Sequence, residues 1–101
     1  MIIERLTWHA KFGQGDRVVE AFKRWQELFG QRQGLKARIL TDVTGTMFTI
    51  QVEIEYADMH HFARSTEELQ KIYREAAFAE WFNSWQDAVE SGKREIYAAV
   101  A

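Results

Sequence analysis

The chain has 101 residues, 13 Lys and Arg against 15 Asp and Glu, four Trp, three Tyr, seven Phe, and neither Cys nor Pro. That length suits one domain spanning 1–101, large enough for a core and too small to divide. A net charge of −2 with mixed signs gives no footprint for nucleic acid or an anionic membrane. The lack of Cys excludes disulfides, thiolate nucleophiles and Cys-held zinc or iron–sulfur sites.

No apolar run approaches the roughly 18 residues that span a bilayer. The opening MIIERLTWHAKF mixes charges into its apolar residues, unlike a secretory leader. These features predict a soluble, cytoplasmic protein.

In chain order, residues 2–12 read as a strand. Ile2, Leu6, Trp8, Ala10 and Phe12 share one face with Glu4 as the exception, and Ile3, Arg5, Thr7, His9 and Lys11 share the other. Gly13-Gln14-Gly15 turns the chain, and Asp16 is the expected N-cap of a helix. That helix carries Val18, Ala21, Phe22, Trp25, Leu28 and Phe29 as one apolar stripe, and Gly30 and Gly34 bracket its end.

Leu35 to Val43 alternates as a second strand, and Thr44-Gly45 predicts a tight hairpin into a third, Thr46 to Tyr56. Here Phe48, Ile50, Val52, Ile54 and Tyr56 oppose Met47, Thr49, Gln51, Glu53 and Glu55. The period is unbroken, so the sheet has one apolar face and one polar face.

Asp58 is the expected N-cap of a second helix carrying Met59, Phe62, Ala63, Leu69, Ile72 and Tyr73. Ser65-Thr66-Glu67-Glu68 resembles an internal capping box, which allows a kink near Ser65. The stripe slips phase at Arg74 to Ala77. A new one runs through Phe78, Trp81, Phe82, Trp85, Ala88 and Val89, which predicts a bend between two helices. Ser91-Gly92 is then the expected helix stop, and Arg94 to Val100 a fourth strand. The order β-α-β-β-α(α)-β is α+β, the ferredoxin-like arrangement, with helices on one face of a four-stranded antiparallel sheet.

The start MIIERLTWHAKFGQGD, together with Phe78-x-x-Trp81, Trp85 and Ser91-Gly92-x-Arg94-Glu95-Ile96, resembles NIPSNAP-like proteins of the dimeric α/β-barrel superfamily. Members often carry Asp-Pro between the last two helices, where this chain has Glu75-Ala76-Ala77. The resemblance implies a homodimer whose two sheets pack face to face into a barrel. The superfamily includes cofactor-free monooxygenases, haem-degrading enzymes, lactone isomerases and members of no assigned activity, so fold selects no reaction.

The polar sheet face mixes Arg5, Arg38, Glu53 and Glu55 with Ile3, Leu40, Met47 and Tyr97, which suits charges paired across a dimer. A fully solvated face is the simpler alternative.

Candidate chemistry is sparse. His60 and His61 diverge by about 100° on a helix and cannot face one site, so no metal is expected. Haem-degrading relatives need a particular Asn, and Asn83 is the chain's only one, so no cofactor is expected. His9, with Glu53 or Glu55 across the sheet, is the candidate for acid–base work, Glu53 being the carboxylate preferred. A plain hydrogen bond of His9 within a dimer interface is the simpler alternative. Trp8, Phe22, Trp25, Phe48, Phe62, Trp81 and Trp85 could enclose a small apolar ligand, although such stripes are core in most proteins. Two functions follow: a small-molecule-binding or interaction module, or a cofactor-independent monooxygenase or isomerase acting on a small apolar or aromatic substrate.

Overall fold

A computed structural model describes residues 1–100. Its elements are β1 (Ile2–Ala10), α1 (Gly15–Trp25), β2 (Ala37–Thr41), β3 (Thr49–Tyr56), α2 (Met59–Ile72), α3 (Ala76–Asn83) and β4 (Val89–Ala98). The strands form one antiparallel sheet in the order β2-β3-β1-β4, as the ferredoxin-like order requires.

Register confirms the two faces. Leu6 lies opposite Val52 and Trp8 opposite Ile50 on the apolar side, while Arg5 lies opposite Glu53 and Thr7 opposite Gln51 on the polar side. The helices cover the apolar face. The core there contains Val18, Phe22 and Phe29 from the first helical region, Ile50, Val52 and Ile54 from β3, and Ile72, Trp81 and Trp85 behind them.

Several boundaries differ from the sequence reading, each for a local reason. The expected cap Asp16 lies inside the first turn of α1, where a negative charge favours the helix dipole, and the N-cap is Gln14 without a side-chain bond. Past Trp25 the helix widens into a π turn, Gln26–Gly30, and then a 3₁₀ turn, Gln31–Gln33. Gln26 fastens this end to β2. Its Nε2 donates to the Leu35 carbonyl at 2.6 Å, and its Oε1 accepts from the Ala37 amide at 2.8 Å.

The tight hairpin is replaced by a wider loop, 42–48. Phe48 has φ 60°, a left-handed backbone that a strand cannot accommodate, so β3 begins at Thr49 rather than Thr46. The Thr49 amide donates to Asp42 Oδ1 at 2.9 Å, closing the loop.

Asp58 does cap α2, accepting from the His61 amide at 2.8 Å. The helix runs through Ser65 unbroken, and Ser65 Oγ donates outward to Gln33 Oε1 at 2.7 Å. The bend falls between α2 and α3, with Glu75 extended.

The largest difference concerns Ser91-Gly92, which lies in β4 and ends no helix. α3 stops at Asn83, and the apolar spacing through Trp85 and Ala88 is continued by a 3₁₀ turn, Gln86–Ala88. A 3₁₀ turn also brings residues three apart to one side, so spacing alone does not distinguish it from an α-helix.

Candidate functional site

Between the sheet and the helices lies a cavity of about 240 Å³. All four Trp of the chain line it: Trp8 from β1, Trp25 from α1, Trp81 from α3 and Trp85 just after. Their rings hold one another at fixed angles. Trp8 stacks on Phe22 with centroids 5.8 Å apart and meets Trp85 edge-on at 5.0 Å, and Trp81 meets Phe22 edge-on at 5.4 Å. Trp81 is further fixed by its indole nitrogen, which donates to the Ala21 carbonyl at 2.6 Å. The indole nitrogens of Trp8 and Trp85 are shielded from solvent and have no partner among the described residues, an omission that costs about 1–3 kcal/mol for each donor.

One end of the cavity is polar. Glu4, the acid that breaks the apolar face of β1, is buried there. Tyr56 Oη donates to Glu4 Oε1 at 3.0 Å, and Arg94 Nε approaches Glu4 Oε2 at 3.2 Å. Burial, the Glu4 charge and this hydrogen bond together push the Tyr56 phenol above its ordinary range, so it remains a donor. Gln33 and Ser65, already bonded to each other, complete this end.

Beyond it lies a vestibule of about 480 Å³. One wall is Phe62, Thr66, Leu69, Gln70 and Tyr73 of α2, and the other is Glu4, Arg94 and Ile96 of the sheet. Ile72 is the one buried residue of α2, and Phe62 and Leu69 pack, partly buried, against the core.

The opposite, polar face of the sheet carries a separate charge cluster. Arg5 Nε donates to Glu53 Oε2 at 2.8 Å, and Arg38 Nε donates to Glu53 Oε1 at 3.1 Å. Arg38, with Arg5 adding, holds the Glu53 carboxyl below its ordinary range against the opposing effect of burial. Glu53 is 4% exposed in a single chain. Its burial therefore does not itself require a partner. The Arg5 guanidinium also lies 5.3 Å from the Tyr97 ring centroid, and Tyr97 donates to Glu95.

The sequence candidates divide between these places. Trp8, Phe22, Trp25, Trp81 and Trp85 meet in the cavity. Phe62 belongs to the vestibule, and Phe48 to a different groove beside Gly15. His9 and Glu53 are not brought together within the chain. His9 lies opposite Thr49, whose Oγ1 is 3.4 Å from its Nδ1, while Glu53 lies opposite Arg5, four positions along β1.

His61 Nδ1 accepts from the Ala57 amide at 3.1 Å. Among the described residues no three His, Cys, Asp or Glu side chains gather as metal ligands. Glu4 is the residue that sequence reasoning passed over. The signal was present: an acid on a buried strand face requires buried partners.

Comparison with known proteins finds likeness in structure alone. No family model matches the chain, and no curated protein matches it by sequence. An uncharacterised NIPSNAP domain protein from Burkholderia xenovorans superposes with a TM-score of 0.79 at 18% identity, covering 100% of this chain and 96% of that one. A NIPSNAP family protein from Agrobacterium tumefaciens gives 0.76 at 11% identity, covering 96% and 90%. A structure described as antibiotic biosynthesis monooxygenase gives 0.67 at 12% identity, covering 100% of both chains. The chain thus shares the ferredoxin-like α+β fold of these structures.

Proposed function

We propose that this protein binds a small apolar molecule in the cavity between its sheet and helices, and works as a homodimer joined through the polar sheet face. The observation that carries the binding reading is the cavity of about 240 Å³ lined by all four Trp. A well-packed core leaves few voids larger than a water molecule, and an apolar cavity of roughly 150 Å³ already admits benzene. A compact molecule of one or two rings suits this one.

Camphor is a convenient probe. At several times its Kd it should raise the unfolding midpoint by a few degrees, since 1 kcal/mol corresponds to about 4–8 °C in a chain of this size. Leu69→Trp, which places an indole at the junction of cavity and vestibule, should abolish the shift. A midpoint unmoved by camphor and by other apolar rings of that size contradicts the reading.

The dimer reading is supported by the Arg5–Glu53–Arg38 cluster, which brings its buried carboxylate already paired, and by Leu40 and Tyr97, exposed on the same face. Paired charges avoid the several kcal/mol cost of a lone buried ion. Light scattering at micromolar concentration should give twice the 11.9 kDa of one chain. A species of single-chain mass alone removes the barrel.

For a cofactor-independent oxygenation or isomerisation, His9 and Glu53 would act from the sheet face opposite this cavity. A substrate of His9 would therefore occupy the groove over the polar face, which His9 lines with Arg5, Thr49 and Tyr97, whereas Glu53, buried between Arg5 and Arg38, does not line it.

A further inference from the structure

We infer that Glu4 makes the cavity selective for a neutral apolar molecule bearing a hydroxyl group, which donates its proton to the Glu4 carboxylate. This inference rests on the binding reading above and specifies the ligand's chemistry.

A carboxylate buried at the end of an aromatic-walled cavity is costly unless its lone pairs are occupied. Glu4 accepts from Tyr56 on Oε1 and faces Arg94 on Oε2. An ionised carboxylate can accept about four hydrogen bonds. These two partners therefore leave acceptor capacity on a group that lines both the cavity and its vestibule.

The other polar groups at this end determine which ligand fits best. Tyr56 Oη already gives its proton to Glu4. Arg94, at the mouth, offers donors, and so does the Gln33 amide, whose oxygen is occupied by Ser65. A hydroxyl satisfies both kinds of partner, since it can donate to Glu4 and accept from Gln33 or Arg94. A ketone or ether can only accept, and leaves Glu4 uncompensated once water is displaced. A ligand carboxylate would meet the Glu4 charge directly. The remaining wall of Trp8, Phe22, Trp81 and Trp85 offers apolar contact, so the rest of the molecule must be hydrocarbon.

Borneol and camphor share one bicyclic skeleton and differ in this respect alone, as alcohol and ketone. Borneol does not absorb where Trp is excited, and camphor does so only weakly, through its ketone band. The four cavity Trp therefore report binding by fluorescence once that absorption is corrected for with free tryptophan, and calorimetry gives the same affinities independently. Borneol should bind at least ~10-fold more tightly than camphor, as expected for a hydrogen bond onto a charged acceptor.

Glu4→Gln keeps the shape but adds an amide donor. The preference should fall to ~3-fold or less while camphor's affinity is kept or improved, which reports an intact cavity. Should Glu4→Gln fail to fold, Glu4→Asp retains the charge and withdraws it by one methylene, and the preference should fall likewise. Equal affinities in the unaltered protein overturn the hydroxyl assignment and leave the cavity reading standing. A full preference retained in the Glu4 variants overturns the role of Glu4. Binding of neither compound overturns the cavity reading, and the assignment with it.

Discussion

Trp81→Ala is expected to cost about 3–5 kcal/mol of folding stability, the range for truncating a buried large aromatic. Trp81 is 4% exposed. It contacts Phe22, Phe29, Phe78 and Trp85 at centroid distances of 5.4, 6.0, 5.5 and 5.2 Å. It also joins α3 to α1 through the bond to the Ala21 carbonyl. A small domain has about 5–15 kcal/mol in total, so the variant should unfold at much lower urea concentration, or be unfolded in buffer. Trp81→Phe separates the two contributions. It keeps a ring in place and loses the indole bond, and should cost roughly 1–3 kcal/mol. A Trp81→Ala midpoint within error of the parent would mean that the aromatic cluster is not packed as described.

Gly92→Ala should be nearly as damaging, although it adds only a methyl group. Gly92 faces Trp8 across β1 and β4. A Cβ built there falls 2.5 Å from Trp8 Cε3 and closer still to Cζ3. The ring cannot retreat freely, because Phe22 and Trp85 stand behind it. Overpacking of this kind costs about 1–3 kcal/mol, a fall of roughly 10 °C in a chain of this size. The displaced indole would also enter the cavity, so camphor and borneol should bind far more weakly. Two outcomes would count against this arrangement: unchanged stability, or lowered stability with binding intact.

These two residues also mark what the sequence disclosed. Trp81 was legible as an inward-facing residue because period 3.6 across α3 turns an apolar stripe toward the sheet, whether that stripe fills a core or lines a cavity. The faces of β1 and β3 were legible for the same reason at period 2, and the register confirms them at every rung from Ile2 with Tyr56 to His9 with Thr49.

Gly92 was misread. A Ser-Gly pair after an apolar stripe is a helix stop by local rules. Here the glycine answers to a ring on a neighbouring strand, a long-range demand that leaves no local trace. Phe48 is similar. Alternation continues through it, and its left-handed backbone, φ 60°, appears only when the 42–48 loop is closed by Asp42 and Thr49.

The site was half legible. Five of the aromatic candidates converge on the cavity, because stripes on separate helices must share one core. The polar end was visible in the sequence only as an exception, Glu4 on an apolar face. Its meaning depended on Tyr56 and Arg94, residues distant in sequence that antiparallel pairing brings beside it. The proposed acid–base pair failed to assemble within the chain for a related reason. His9 and Glu53 share a sheet face, but register, which composition does not specify, sets them four positions apart.

Ligand binding requires that the space among the four Trp be open and able to accept a guest. The most direct measurement is diffraction from crystals held under xenon pressure, since xenon enters dry apolar cavities and scatters strongly. Xenon density should appear bounded by Trp8, Trp81 and Trp85, on the side of the sheet away from Arg5 and Glu53. Side chains filling that space, with no xenon among them, would contradict it.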